Sequence, residues 1–290
     1  MHGTMAKMKL RLTLWVIVLA MFAEAPSQTE YPAASYERTV TTAYLSQRNS
    51  AYVNDGGMYC APTSAAMEFS WLANHGYPQL VPADRTVEAY HTMIELLGSR
   101  DYMDTSPSKG TNTVEAIRGV RRYVEAAGYK LREIDYSGYR SSPRQTPANV
   151  VSTTPDFNLL RAGINDAHTI VLMNVGYYEP GSGPSRLRRT GGHWVAVVGY
   201  GTIGDGKVDA SVILLHNPAH PGSENTSSSQ LAFRLAQDVA HISPIEGFIE
   251  DSQGRTIRGL QGMVEIEGAG LKQTSTRITL VDGILTFTLA

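Results

Sequence analysis

Apolar positions along the chain change period near residue 165, separating a helical first half from a strand-rich second half. Ala65, Ala66, Phe69 and Leu72 recur at helical spacing, and Gly76 after Asn74-His75 is placed to stop that helix. A second helix is expected from an Asp84 cap through Val87, Tyr90, Ile94 and Leu97 to Gly98. A third starts at Asn112, where Glu115 three residues on completes a capping box, and runs through Ile117, Val120 and Val124 to Gly128. Phe157, Leu160 and Ile164 suggest one more. Beyond them the pattern is that of strands: Thr169 to Val175, His193 to Tyr200 and Val212 to His216. A helix is expected around Gln230 to Val239, followed by a β-rich end. There Asp282-Gly283, between Ile278-Thr279-Leu280 and Leu285-Thr286-Phe287, gives a hairpin signal. Helices followed by strands make the expected fold class α+β.

The connecting segments carry their own signals. Residues from about Glu30 to Gly57 form a polar, extended lead-in with a turn at Asn54-Asp55-Gly56-Gly57. Ser137 to Pro155, rich in Ser, Pro, Arg and Thr, reads as a long surface loop, and Pro180-Gly181-Ser182-Gly183-Pro184 as a mobile one. At the N-terminus, Lys7, Lys9 and Arg11 precede the apolar run Leu12 to Ala23 and the small-x-small triplet Ala23-Glu24-Ala25. That is the pattern of a secretory signal peptide, and the run falls short of the ~20 apolar residues that span a bilayer. The expected organisation is a signal peptide over 1–25, a main domain over 26–245 and a β-rich C-terminal extension over 246–290. Secreted or periplasmic localisation follows, with no stable membrane anchor after signal cleavage.

Composition narrows the chemistry. With 290 residues, 42% hydrophobic and 18% charged, the chain can bury a full core. Twenty-five basic against 27 acidic residues give a net charge of -2, which offers no nucleic-acid surface. Cys60 is the only cysteine, so no internal disulfide forms and the thiol of an exported protein is free unless it pairs with another chain. It lies where a Gly-rich loop enters a helix, and the N-terminal end of a helix favours a thiolate. A thiol nucleophile needs an imidazole to take its proton, and that imidazole needs a polar group to orient it. His193 opens a strand after Gly191-Gly192, and Asn217 closes the next one in His216-Asn217-Pro218. His193 follows Cys60 by 133 positions, within the separation of about 130–150 known for papain-like enzymes. His216 and His220 are four apart, but Pro218 between them denies a helix and hence a two-histidine metal face. No metal and no organic cofactor is expected.

Two stretches carry a resemblance. Tyr59-Cys60-Ala61-Pro62-Thr63-Ser64-Ala65-Ala66-Met67 resembles the Cys-Gly-Pro-Thr-Ser motif of the C39-like branch of the papain-like cysteine peptidases. Gly191-Gly192-His193-Trp194-Val195-Ala196-Val197-Val198-Gly199-Tyr200 is similar to that family's Gly-His-Trp/Phe-Val-Val-Val-Gly-Tyr strand. The resemblance spans about residues 40 to 220. It implies a papain-like fold, in which a helical part with the nucleophile at a helix start packs on an antiparallel sheet carrying the histidine and asparagine. It further implies Cys60 as nucleophile and His193 as proton carrier. Asn217 would orient the imidazole, standing where the family usually has Asp but where the broader papain-like group has Asn. Gln47 in Tyr44-Leu45-Ser46-Gln47 is the best match to the oxyanion-hole glutamine, with Asn54 the alternative. Ala61 replaces the family's glycine, which is harmless if that residue is helical. The implied activity is hydrolysis of peptide or related amide bonds in a peptide or protein substrate. An acyl transferase or amidase using the same thiol chemistry, and a non-catalytic binding protein retaining the fold, are the other readings.

Overall fold

The computed structural model describes residues 31–290 apart from 141, 204, 220–223, 227–237 and 272. The expected signal peptide, and most of the helix expected around Gln230, lie outside the described residues. Residues 31–290 form one compact unit. In chain order the elements are α1 (Glu37–Thr41), α2 (Cys60–Ala73), α3 (Val87–Gly98), α4 (Thr113–Ala126), β1 (Leu131–Gly138), β2 (Asn149–Ser152) and α5 (Phe157–Asn165). There follow β3 (Thr169–Pro180), β4 (Arg186–Tyr200), β5 (Val212–His216), β6 (Val239–Pro244), β7 (Phe248–Glu250), β8 (Thr256–Gly259), β9 (Val264–Gly268) and β10 (Ile278–Leu289). The fold is α+β, with a large and mostly antiparallel sheet.

Local chemistry sets the helix starts. The capping box of α4 is complete: Asn112 accepts from the Glu115 N–H at 3.0 Å, and the Glu115 carboxylate accepts from the Asn112 N–H at 2.9 Å. Helix α3 is capped by Thr86, which accepts from the Ala89 N–H, and not by Asp84. Arg85, with φ of 50°, turns the chain between them, so the helix cannot begin before Thr86.

Six strands close on themselves. β3 pairs with β4, β4 with β5, β5 with β6, β6 with β9, β9 with β10 and β10 with β3, all antiparallel. Alternation along β3 serves two cores, since successive side chains point to opposite faces. Val171, Met173 and Val175 join Val195, Val197 and Leu215 with Leu160 and Ile164 of α5. Ile170 and Leu172 instead join Trp194, Ala196, Leu285 and Phe287 in packing on α2. Every residue of α2 is buried, which is what a helix apolar on most of its surface requires.

Several strand expectations are corrected. Asp282-Gly283 does not turn a hairpin: β10 runs through it, with a register shift between Val281 and Gly283. The Asp282 carboxylate is fully buried, and a Cβ on Gly283 would lie 2.6 Å from the Tyr136 ring, so the pair makes a bulge under an aromatic side chain. β10 pairs on either side with β1 and β3, so the chain's last strand is central to the sheet and not an appendage. The Ser137 to Pro155 segment contains β2, parallel to β1. The glycine-rich link after β3 is pinned, because Glu250 accepts from both the N–H and the hydroxyl of Ser182, at 2.8 and 2.6 Å. β3 and β4 thereby form one long hairpin, and His193 lies within β4 opposite Val175 instead of opening it.

Candidate active site

Cys60 is the first residue of α2, and that first turn is tied directly to β4. Ser64, one turn on and on the same face, donates its hydroxyl to the Trp194 carbonyl at 3.1 Å. The Trp194 indole N–H in turn donates to the Thr111 carbonyl at 2.9 Å, drawing in the loop before α4. Ala61 is helical and fully buried, so the position tolerates a side chain where the resembling family has glycine. Cys60 and His193 both line one cavity of about 250 Å³.

The orientation of His193 follows from that of Asn217. The Asn217 Nδ2 donates to the Ala269 carbonyl at 2.8 Å, while Oδ1 accepts from the Ala219 N–H at 3.0 Å. Those two bonds fix which end of the amide is oxygen. Oδ1 lies 2.8 Å from His193 Nε2, and an amide oxygen only accepts, so Nε2 carries the proton and donates. The lone pair of the neutral ring therefore sits on Nδ1. Both side chains are buried, and the Asn217 carbonyl accepts from the Tyr44 hydroxyl at 3.0 Å.

Gln47 reaches the same neighbourhood by a different route. Its backbone N–H donates to the Pro218 carbonyl at 2.9 Å, and its side-chain Nε2 donates to the carbonyls of Gly56 and Gly57 at 3.0 and 3.2 Å. Both amide hydrogens are thus engaged with the loop that leads into Cys60. Asn54, at φ of 54°, points elsewhere and donates to the Pro107 carbonyl. Gly56 has φ of 73°, and a Cβ there would come within 1.6 Å of the Gln47 carbonyl oxygen. Gly56→Ala is accordingly expected to destabilise the protein by about 2–3 kcal/mol, read as a shifted denaturant midpoint at unchanged slope.

At the Cys60 sulfur, burial and the helix end act in opposite directions. Burial pushes the Cys60 thiol up, and the opposing pull of the Trp194, Ala61 and Cys60 N–H groups and of Arg48 does not reverse it. A helix N-terminus alone therefore leaves this sulfur protonated at neutral pH.

The cavity also holds groups that sequence patterns did not single out. Arg189 and Arg140 line it, and both stand against the buried Asp282 carboxylate, with nitrogens 2.8 and 4.0 Å from Oδ2. Asp282 comes from β10, far off in sequence and inside an apparent turn signal, so nothing local marked it. Asn174 lines the cavity as well, donating to the His193 carbonyl at 3.2 Å.

Other histidines serve packing or tethers. His216 is fully buried against the Tyr44 ring, 3.6 Å from the Asp238 carboxylate, and His220 lies outside the described residues. His91 bridges Tyr52 and Glu224. Among the described residues no group of three or more His, Cys, Asp or Glu side chains is placed to hold a metal ion, and no helix is long and apolar enough to cross a membrane. Compared with known proteins, the chain matches no family model and no curated protein.

Proposed function

We propose that the chain is a secreted or periplasmic papain-like cysteine peptidase that hydrolyses peptide or related amide bonds through Cys60, His193 and Asn217. The observation that carries this reading is the Asn217 amide, whose own two bonds oblige His193 to donate from Nε2 and so put the basic lone pair on Nδ1, in a residue that lines the same cavity as Cys60. A buried helix with a thiol at its start, packed on a closed antiparallel sheet, supports the papain-like fold. Without the imidazole the sulfur would keep its proton, because burial pushes the thiol up.

In the proposed reaction His193 Nδ1 takes the Cys60 proton and Sγ attacks the scissile carbonyl carbon. The C–S bond forms as the carbonyl π pair moves onto oxygen, where the Cys60 backbone N–H stabilises it. Gln47 is the proposed second donor, turning one N–H from the longer of its bonds, that to Gly57, to the developing oxyanion. The imidazolium then protonates the leaving amine as the C–N bond breaks. Water, deprotonated by Nδ1, attacks the acyl-enzyme and releases the acid and the thiol. Asn217 holds the ring throughout.

The test is alkylation of Cys60 by iodoacetamide as a function of pH, followed by intact mass. In the wild type Cys60 should react near pH 6 faster than a model thiol of pKa about 8.5. In His193→Ala that low-pH reactivity should vanish and the rate should rise only above the ordinary thiol range, since the upward push of burial outweighs the pull of the nearby N–H groups and of Arg48. Superimposable pH profiles for the two proteins would sink the assignment.

A further inference from the structure

The cavity beside Cys60 is lopsided in charge. Lys109, Arg140 and Arg189 line it, and among the described lining residues none is an acid. The Asp282 carboxylate is fully buried behind the wall, where its Oδ1 accepts from the Tyr178 hydroxyl at 2.7 Å and its Oδ2 from Arg189 Nε at 2.8 Å, while that of Glu115 accepts from the Asn112 N–H at the start of α4. One carboxylate between two guanidinium groups leaves one positive charge unbalanced, and Lys109 adds another.

The arrangement is built and oriented. Because Arg189 spends its Nε on Asp282, its fork is fixed, and Nη2 lies over Gly192, the residue before His193. A Cβ at Gly192 would come within 2.2 Å of that nitrogen, so the glycine makes room for the cation beside the base. Among the described residues no hydrogen bond engages the terminal nitrogens of Arg189. Arg140 stacks on the Tyr139 ring with its Cζ 4.9 Å from the centroid, which holds it to the same wall. Planar, preoriented guanidinium groups facing a confined cavity are suited to a carboxylate, which they bind in a bidentate manner.

We propose that the wall formed by Arg189 and Arg140, with Lys109, is a carboxylate-binding subsite, and that the substrate is a peptide carrying a carboxylate next to the bond presented to Cys60. The assignment to a substrate rests on the peptidase reading above; the anion site itself does not. The carboxylate is either an acidic side chain or the C-terminus of the peptide.

Alkylation of Cys60 in the full chain by iodoacetate and iodoacetamide tests the subsite without requiring turnover, since the two reagents differ chiefly in charge. The ratio of the iodoacetate to the iodoacetamide rate at Cys60 should exceed that of glutathione by about tenfold at low ionic strength and shrink as salt is added. Arg140→Gln and Lys109→Gln, both at solvent-reached positions, should each lower the ratio by about threefold. Arg189→Lys should do so as well, keeping the charge that Asp282 requires while losing the fork. Protection against iodoacetate then separates the two sources. An N-acetylated, C-terminally amidated peptide with one Glu should protect where its Gln counterpart does not if the side chain binds, and a free-acid alanine peptide should protect where its amide does not if the terminus binds. A ratio equal to that of glutathione, labelling by neither reagent, or a ratio unmoved by all three substitutions would overturn the subsite. If the ratio is raised but labelling does not depend on His193, the anion site stands and the peptidase reading falls. If labelling depends on His193 at an ordinary ratio, the reverse holds.

Discussion

Cys60→Ala is expected to lower peptide hydrolysis by about a thousandfold or more while leaving the fold in place. The size of the effect follows from the chemistry proposed for the sulfur: without it no acyl-enzyme forms, and only binding and the oxyanion donor remain to assist attack by water. The fold should survive because the change removes a single buried atom from a packed cluster, a loss of about 1 kcal/mol, and keeps a good helix former at the start of α2. Cys60→Ser should be almost as inactive, because a hydroxyl beside a neutral imidazole is a far weaker acid than a thiol. The double variant Cys60→Ala with His193→Ala should be no slower than Cys60→Ala alone, since groups that act as one unit are not additive. The measurement is hydrolysis of a mixed peptide pool followed by mass spectrometry, with circular dichroism to check folding. Undiminished hydrolysis in a folded Cys60→Ala variant would remove the thiol from the mechanism.

What sequence could foretell follows the range of the interactions involved. α2, α4 and α5 were legible because helical periodicity and capping act within four residues, as at Asn112 and Glu115. α3 was legible except for its cap, where the left-handed Arg85 moved the start from Asp84 to Thr86. Strands depend on partners distant in the chain, and there the reading failed most. Asp282-Gly283 has the composition of a turn, but the carboxylate is claimed by Arg189 and Tyr178 and the glycine by the Tyr136 ring, so β10 passes straight through. The same long range hid the closure of the sheet, which joins β10 to β3 across about a hundred residues of chain.

The candidate site divides in the same way. Cys60, His193 and Asn217 were singled out from two short motifs and a strand end, and the fold sets the first two against one cavity and bonds the third to the imidazole. What no motif carried was the state of those groups. Burial turns the pKa of the Cys60 thiol upward against the pull of the helix end, and the engagement of both Gln47 hydrogens with Gly56 and Gly57 depends on the path of an irregular loop. Cationic residues of the cavity wall read as ordinary surface charge in the sequence, because only the placement of Asp282 behind them orients Arg189.

Arg38→Met is expected to cost about 3–5 kcal/mol of stability. Arg38 is 1% exposed, and all five of its guanidinium hydrogens have acceptors. Nε donates to the Ile164 carbonyl, Nη2 to those of Gly163 and Asp166, and Nη1 to that of Thr169 and to Glu68 Oε2. Three of these carbonyls belong to the end of α5 and its exit, where a helix leaves its last carbonyls without partners, so one side chain from α1 closes α5 and joins it to the start of β3. Its plane also lies over the Trp71 ring, 4.4 Å from the centroid. Burial lowers its pKa to about 10, which still leaves it charged at neutral pH. Methionine fills the volume and withdraws the donors from four carbonyls, of which those of Gly163 and Asp166 keep a backbone N–H partner. Glu68→Gln is the contrasting variant: burial, partly offset by Arg38, pushes the Glu68 carboxyl up to about 8, so a neutral amide resembles the state already favoured in the fold. The unfolded carboxyl releases its proton near 4.5, so this group's contribution to stability is complete below that pH and is lost as the pH rises toward 8. Glu68→Gln should flatten that slope at a cost near 1 kcal/mol or less, whereas Arg38→Met should lower the thermal midpoint by about 10 °C at any pH in the window. A midpoint for Arg38→Met within a degree or two of the wild type would mean that the α5 to β3 corner is held by its apolar packing alone.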